Sequence, residues 1–246
     1  MKIRSHGMTH TGQIRISNED AFFLSEIHGA FAVADGIGGL PGGAQTSERI
    51  ISLLERAYQP DARDASYYDL TELTQQINQI ISEEVAIAHP ETGAGSTLTL
   101  SQIQGNQLHL AHVGDSSAYI YHQGHLEKIT TDHTMEQELI NAQGEEARCT
   151  MPPEYAHTLT RCIGQPRDLS IDHVRAQLAL DDKILLCTDG LNKVIGEAAI
   201  EKLLHSNDSP EVICQSMIDT ANALRGPDNI TVIVAIIDSL EPTAEA

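Results

Sequence analysis

Acidic residues recur at the ends of apolar segments, a pattern that can assemble a metal site. Asp35, Asp115 and Asp189 each follow an apolar run and stand beside a glycine, and Asp228 shortly precedes the apolar run that begins at Ile230. Each one alone is typical of a turn, because glycine adopts positive φ and aspartate bonds its own backbone. Four carboxylates at one sheet edge would repel each other unless cations neutralised them, and Mg²⁺ and Mn²⁺ prefer oxygen ligands. Spacing alone leaves both interpretations open.

A second segment, residues 15–20, combines Arg15 with Glu19 and Asp20. These residues could form surface ion pairs, which contribute little to stability. Alternatively, the planar guanidinium of Arg15 binds a phosphoryl group through two nitrogen atoms while Asp20 orients metal-bound water. The second interpretation requires the metal cluster to exist.

Hydrophobic periodicity indicates the elements that would position these residues. Helices are predicted over 50–58 and 70–88 and near 197–205 and 210–224, and strands at 30–34, 97–103, 107–113, 116–121, 184–188 and 230–237. Tight turns between the strands of 97–121 predict an antiparallel meander. The stretch 143–166 has no clear period and is predicted to be a loop or flap. Together these elements predict an α+β fold, an α/β/β/α four-layer sandwich of two antiparallel β-sheets flanked by helices.

Composition restricts the class of protein and of partner. The chain has 246 residues, of which 41% are hydrophobic, and its 15 Lys+Arg against 35 Asp+Glu give a net charge of −20. This charge disfavours binding to nucleic acid and to anionic membranes. No apolar run approaches the roughly 20 residues that span a bilayer, and no secretory signal is recognisable, so a cytoplasmic location is predicted.

Seven short motifs occur in the order found in one enzyme family. They lie at residues 15–20, 34–39, 95–98, 113–116, 131–133, 185–191 and 228–231. In this arrangement the chain resembles the metal-dependent protein phosphatases (PPM) of type 2C, bacterial branch. The resemblance implies a catalytic domain over residues 1–238, followed by a short C-terminal tail at 239–246. It also implies the hydrolysis of serine and threonine phosphomonoesters in phosphoproteins.

The resemblance further implies a centre with Mn²⁺ or Mg²⁺, two core ions and a third, weaker one. By motif position Asp35 bridges the two core ions, the Gly36 carbonyl binds one, and Asp189 and Asp228 bind the other. Asp115, together with Asp189, is similar to the residues that hold the third ion in bacterial members. These assignments depend on the family pattern and not on spacing.

The remaining motif residues are implied to act on water and on substrate. Asp20 and Glu19 act through bound water, and Arg15 binds the substrate phosphate. A water bridging two ions would attack phosphorus in line with the leaving alkoxide. Two departures from the family pattern stand out. Ile37 replaces a histidine proposed as the general acid in animal members, and Ser117 replaces a frequent arginine near the third ion.

The implied partners are phosphorylated serine/threonine proteins and a cognate protein kinase, with the chain acting as a monomer. Three alternatives remain at this point. The same fold could serve as a non-catalytic phosphoprotein-binding module or scaffold, as a partner-switching phosphatase for a regulator of transcription or secretion, or as a calcium-binding structural module. The net charge of −20 also predicts a preference for phosphosites surrounded by Lys or Arg.

Overall fold

The computed structural model describes residues 2–39, 41–59, 67–166 and 168–240. Its strands are β1 (Lys2–His10), β2 (Asp20–Ser25), β3 (Ala30–Asp35), β4 (Leu98–Gln104), β5 (Gln107–Val113), β6 (Ser117–His122), β7 (His125–Lys128), β8 (Asp172–Gln177), β9 (Lys183–Cys187) and β10 (Ile230–Ser239). Its helices are α1 (Gly43–Ala57), α2 (Leu70–Ala88), α3 (Met135–Gln143), α4 (Asp189–Ile195), α5 (Glu197–Leu204) and α6 (Pro210–Ala223). Two short 3-10 helices lie at Glu145–Thr150 and Pro153–His157.

The strands form two five-stranded antiparallel sheets. One sheet has the order β1-β10-β9-β6-β7, and the other has the order β2-β3-β4-β5-β8. The helices α1 and α2 contact the second sheet, whereas α4 and α6 contact strands of the first sheet. The predicted four-layer α/β/β/α sandwich is therefore confirmed.

Strand β3 shows how side-chain alternation builds this sandwich. Phe31 and Val33 belong to the apolar cluster shared by both sheets, whereas Ala32 and Ala34 belong to the cluster that includes α1 and α2. Because successive side chains of a strand point to opposite faces, a strand that is apolar throughout can pack against the opposite sheet on one face and against helices on the other. The small alanines allow the two helices to lie close to the sheet.

The ends of the helices follow local signals. The Asp69 carboxylate accepts hydrogen bonds from Thr71 N at 2.9 Å and Glu72 N at 3.1 Å, which caps the start of α2. The helix ends at Ala88, before Pro90, as its sequence predicts. Helix α6 begins with Pro210 after the capping residue Ser209.

The prediction of a single meander over 97–121 is wrong. Strands β4 and β5 pair with each other, but β6 pairs with β7 and β9 in the opposite sheet. The chain crosses between the sheets directly after β5, where Gly114 has φ +109° and lies against Thr97. This crossing places Asp115 at the boundary of the two sheets.

The stretch 143–166 is more regular than predicted. The two 3-10 helices lie within it, and the sequence patterns also missed β1, β2, β7, β8, α3 and α4. At the C-terminus β10 continues to Ser239, which pairs with Lys2, and residues 241–246 of the predicted tail lie outside the described residues. Among the described helices, none combines the length and apolar character needed to cross a membrane.

Candidate active site

A cavity of about 630 Å³ lies where β3, β5 and β9 end and β10 begins. Strands of both sheets meet here, so the residues that follow or precede them converge although they are distant in sequence. The predicted site residues that line the cavity are Arg15, Glu19, Asp35, Gly36, Asp115, Asp189 and Asp228. Asp20 is buried at the start of β2, directly opposite Asp35 in the sheet register.

Asp20 is a buried carboxylate in which one oxygen accepts hydrogen bonds from the described residues and the other accepts none. Its Oδ2 accepts hydrogen bonds from Thr188 Oγ1 at 2.8 Å and Thr231 Oγ1 at 2.7 Å. Its Oδ1 is buried and receives no hydrogen bond from the described residues. Burial and the charge of Asp189 raise the pKa of Asp20 to about 7, although the two threonine hydroxyls lower it.

Asp35 has the most unfavourable electrostatic environment in the cavity. Burial raises its pKa well above the ordinary value, and the charges of Asp20, Asp189, Asp115 and Asp228 raise it further. Four carboxylates from four different parts of the chain therefore repel the negative charge of Asp35. A cation bound beside Asp35 would stabilise its charged form.

The donor set fits hard divalent cations. Carboxylate oxygens are the ligands that Mg²⁺ and Mn²⁺ prefer, and the open Oδ1 of Asp20 can accept a hydrogen bond from water. Within the described part of the chain, no three His, Cys, Asp or Glu side chains are already arranged to hold an ion. The fit therefore rests on the chemistry of the donor atoms.

The glycines beside two of the carboxylates are required for close backbone packing. A Cβ atom at Gly36 would overlap the carbonyl oxygen of Gly43, and one at Gly190 would overlap the carbonyl oxygen of Asn229. Gly36 N also donates a hydrogen bond to Glu19 O at 3.0 Å. The Asp-Gly pairs at 35–36 and 189–190 thus bring separate segments together at the cavity.

Arg15 projects into the cavity beside the last carboxylate. Its Nη2 donates a hydrogen bond to Asp228 Oδ2 at 2.8 Å, and 44% of its side chain remains exposed. Gly38 lies so close to Arg15 that an added Cβ would stand 3.0 Å from Nη1. The guanidinium is therefore oriented by Asp228 while part of it remains accessible to a ligand.

Comparison with known proteins decides the family. Residues 5–139 match the family model described as Protein phosphatase 2C. The chain is also 30% identical over 233 residues to serine/threonine phosphatase stp of Listeria welshimeri, with 92% of each chain covered. The chain belongs to the protein phosphatase 2C family. The resemblance inferred from the seven motifs is thereby confirmed.

Solved structures agree with this membership of the protein phosphatase 2C family. PppA of Pseudomonas aeruginosa, described as a key regulatory component of T6SS, has a TM-score of 0.82 and 31% identity, covering 96% of this chain and 97% of that one. The catalytic domain of PstP in complex with two manganese ions has a TM-score of 0.79 and 29% identity, covering 96% and 99%. The chain is therefore a metal-dependent serine/threonine protein phosphatase.

One cation that contacts the carboxylates of this cavity was not predicted from the sequence. Lys193 Nζ donates hydrogen bonds to Asp115 Oδ2 at 2.6 Å and Asp189 Oδ2 at 3.0 Å. Although burial lowers the pKa of Lys193, the two carboxylates raise it above its usual value. Lys193 follows Asp189 by four residues on α4, and this i, i+4 spacing is the sequence signal that could have identified it. Lys193 provides a positive charge near Asp115. Asp115 precedes Ser117 by two residues, and Ser117 stands where the family pattern frequently has an arginine.

Two histidines in this part of the phosphatase have different environments. His133 is 3% exposed, and its Nδ1 accepts a hydrogen bond from Gly114 N at 3.1 Å, so it fixes the end of β5. His157 lines the cavity with its Nδ1 3.6 Å from Asp189 Oδ2. The nearby carboxylate of Asp189 raises the pKa of His157 above its ordinary value.

Proposed function

We propose that this phosphatase holds two core ions through Asp35, the Gly36 carbonyl, Asp189 and Asp228, with Mn²⁺ or Mg²⁺ as the ions. The observation that carries the proposal is the convergence of Asp35, Asp115, Asp189 and Asp228 on one cavity, where burial and their mutual repulsion raise the pKa of Asp35. Two divalent ions would neutralise that repulsion. The manganese pair in the related PstP catalytic domain supports the same number of ions.

Arg15, Glu19 and Asp20 complete the proposed machinery. When bound, the ions would supply a shared water with a lowered pKa as nucleophile and would attract the charge of the phosphoryl group. Arg15, held by Asp228, binds the phosphoryl oxygens of the substrate. Asp20 and Glu19 orient water molecules, and the open Oδ1 of Asp20 is the acceptor available for this role.

The proposed substrates are phosphoserine and phosphothreonine proteins, which implies a cognate protein kinase in the same cell. A cytoplasmic location, a monomeric state and a catalytic domain over residues 1–238 complete this proposal. The similarity to PppA supports a second candidate substrate class, a phosphorylated regulator of secretion. A phosphoproteome comparison of cells with and without the phosphatase would distinguish general substrates from a single regulator.

The third ion expected at Asp115 and Asp189 is not included in this proposal. Lys193 Nζ lies within hydrogen-bond distance of both carboxylates, where a weak ion would have to bind.

Phosphate release from a phosphothreonine peptide tests the proposed assignment. We expect activity with Mn²⁺ that is abolished by chelator and is not supported by Ca²⁺. Asp189→Asn should lose at least about 100-fold in kcat/KM, or about 2.7 kcal/mol of transition-state stabilisation. Asp219→Asn is the matched control, because Asp219 is exposed on α6 and the change in charge is the same. Equal activity of Asp189→Asn and wild type would disprove the assignment.

The preference for basic phosphosites has its own test. The net charge of −20 should attract a phosphopeptide rich in Lys and Arg more strongly than an acidic one. We expect a higher kcat/KM for the basic peptide at low salt and convergence of the two rates at high salt. Equal rates at low salt would contradict this preference.

A further inference from the structure

The Lys193 ammonium group has all of its hydrogen-bonding capacity satisfied beside the carboxylates of Asp115 and Asp189. It can donate three hydrogen bonds, and the structure shows three acceptors. They are Asp115 Oδ2 at 2.6 Å, Asp189 Oδ2 at 3.0 Å and the backbone carbonyl oxygen of Ala156 at 3.0 Å. Only 23% of the side chain is exposed. The group is therefore held in one position.

Nζ contacts the two carboxylate oxygens that an ion bridging Asp115 and Asp189 would need. An ion bridging the two carboxylates would approach Asp115 Oδ2 and Asp189 Oδ2 to about 2.1 Å for Mg²⁺. Nζ already contacts the same two oxygens, so an ion among them would lie against a positive ammonium group. Coulomb repulsion and the shared oxygens make the two cations mutually exclusive.

Lys193 also offsets part of the negative charge of Asp115 and Asp189. The side chains of Asp115 and Asp189 are 7% and 14% exposed, so their mutual repulsion is poorly screened by water. Lys193 places a positive charge against both of them. Its single charge offsets one of the two carboxylate charges, which weakens the attraction of this pair for an additional ion.

We propose that Lys193 is the resident cation of the Asp115–Asp189 pair, so that this phosphatase binds no third metal ion there. The proposal rests on the proposed function, because it assumes that the core ion on Asp189 binds through Oδ1, the oxygen that Lys193 does not contact. Through the carbonyl of Ala156, Lys193 also connects the 3-10 helix Pro153–His157 to the same pair. It acts as a positioning residue and does not contact the reacting atoms.

The test is a count of bound Mn²⁺ per chain by equilibrium dialysis with metal analysis, on the full chain without substrate. We expect about two ions in wild type and one additional, weaker ion in Lys193→Met, which keeps an unbranched side chain one atom shorter and removes its charge. Lys193→Arg should retain the wild-type count, because it keeps a cation at this position. Lys202→Met is the matched control, since Lys202 is exposed on α5 and the change in net charge is identical.

A double variant identifies the location of the additional ion. Lys193→Met combined with Asp115→Asn should lose the ion that Lys193→Met gained. A third ion in wild type, or an unchanged count in Lys193→Met, would overturn the proposal. If wild type binds no ion at all, the two-ion assignment fails, whereas three ions in an active wild type overturn only the role of Lys193.

Hydrogen exchange of the segment 153–157 tests the connection to the 3-10 helix. In metal-free protein we expect faster exchange in Lys193→Met than in Lys202→Met, because the bond to Ala156 is lost. Equal exchange in the two variants would overturn this part of the proposal.

Discussion

Asn229 holds the loop that carries Arg15, and its removal should loosen that loop. The side chain is 5% exposed, and its Nδ2 donates to Thr11 O and to Ser17 O, both at 2.9 Å. Its Oδ1 accepts a hydrogen bond from Glu19 N at 2.8 Å. One amide thus binds three backbone groups of the segment 11–19.

The cost of Asn229→Ala follows from these three bonds. Each contributes about 1 kcal/mol net. Because Thr11 and Glu19 are half-buried and Ser17 is exposed, water replaces some of the lost bonds but not all. We therefore expect the free energy of unfolding to fall by about 2 kcal/mol, which is a factor of roughly 30 in the unfolding equilibrium.

The same substitution should impair binding of the substrate more than the chemical step. Loosening the loop displaces Arg15, so KM for a phosphopeptide should rise about tenfold, equivalent to about 1.4 kcal/mol of binding. Urea unfolding and steady-state kinetics measure the two effects, with Asn207→Ala at an exposed position as the control. An unfolding free energy and a KM both within error of wild type would refute the reasoning.

Three further predictions concern phosphate binding, the buried carboxylate and pH. Arg15→Lys should raise KM for phosphopeptides about tenfold, because an ammonium group lacks the planar fork, and unchanged kinetics would contradict the role of Arg15. Thr188→Val should lower the free energy of unfolding by about 2 kcal/mol in urea titrations, since Asp20 keeps only its bond from Thr231; no change would mean that the hydroxyl is dispensable. Burial lowers the pKa of His112 to about 3 from an ordinary 6.5, so the unfolded state binds the proton first. Stability should therefore fall as pH decreases from about 6.5 towards 3, by up to about 1.4 kcal/mol per unit from this group. The slope in His112→Gln should be shallower by that amount, and an equal slope would exclude His112 as its source.

The strands that carry the carboxylates were largely predictable from the sequence. The apolar runs before Asp35 and Asp189 and after Asp228 correspond to β3, β9 and β10. Helix α2 was predicted almost to its ends, because its apolar stripe is long and Pro90 follows it. These elements are recognisable because local periodicity and local end signals agree.

Other elements depend on contacts between distant parts of the chain. Strand β1 has little apolar periodicity and forms as an edge strand by pairing with β10. The alternation of β6 is the same whichever sheet it joins, so only the turn at Gly114 and the pairing with β9 reveal its place. Pairing between strands distant in sequence is not encoded in any short window.

The candidate site, like the fold, was predictable from the sequence only in part. The residue types, the Asp-Gly pairs and the order of the motifs are properties of the sequence, and they were sufficient to predict the family and the layered fold. That the carboxylates meet in one cavity, and that Lys193 joins Asp115 to Asp189, was decided by the tertiary structure. The physical reason is that charge interactions depend on distance in space, and strands from both sheets must pack before these side chains come within that distance.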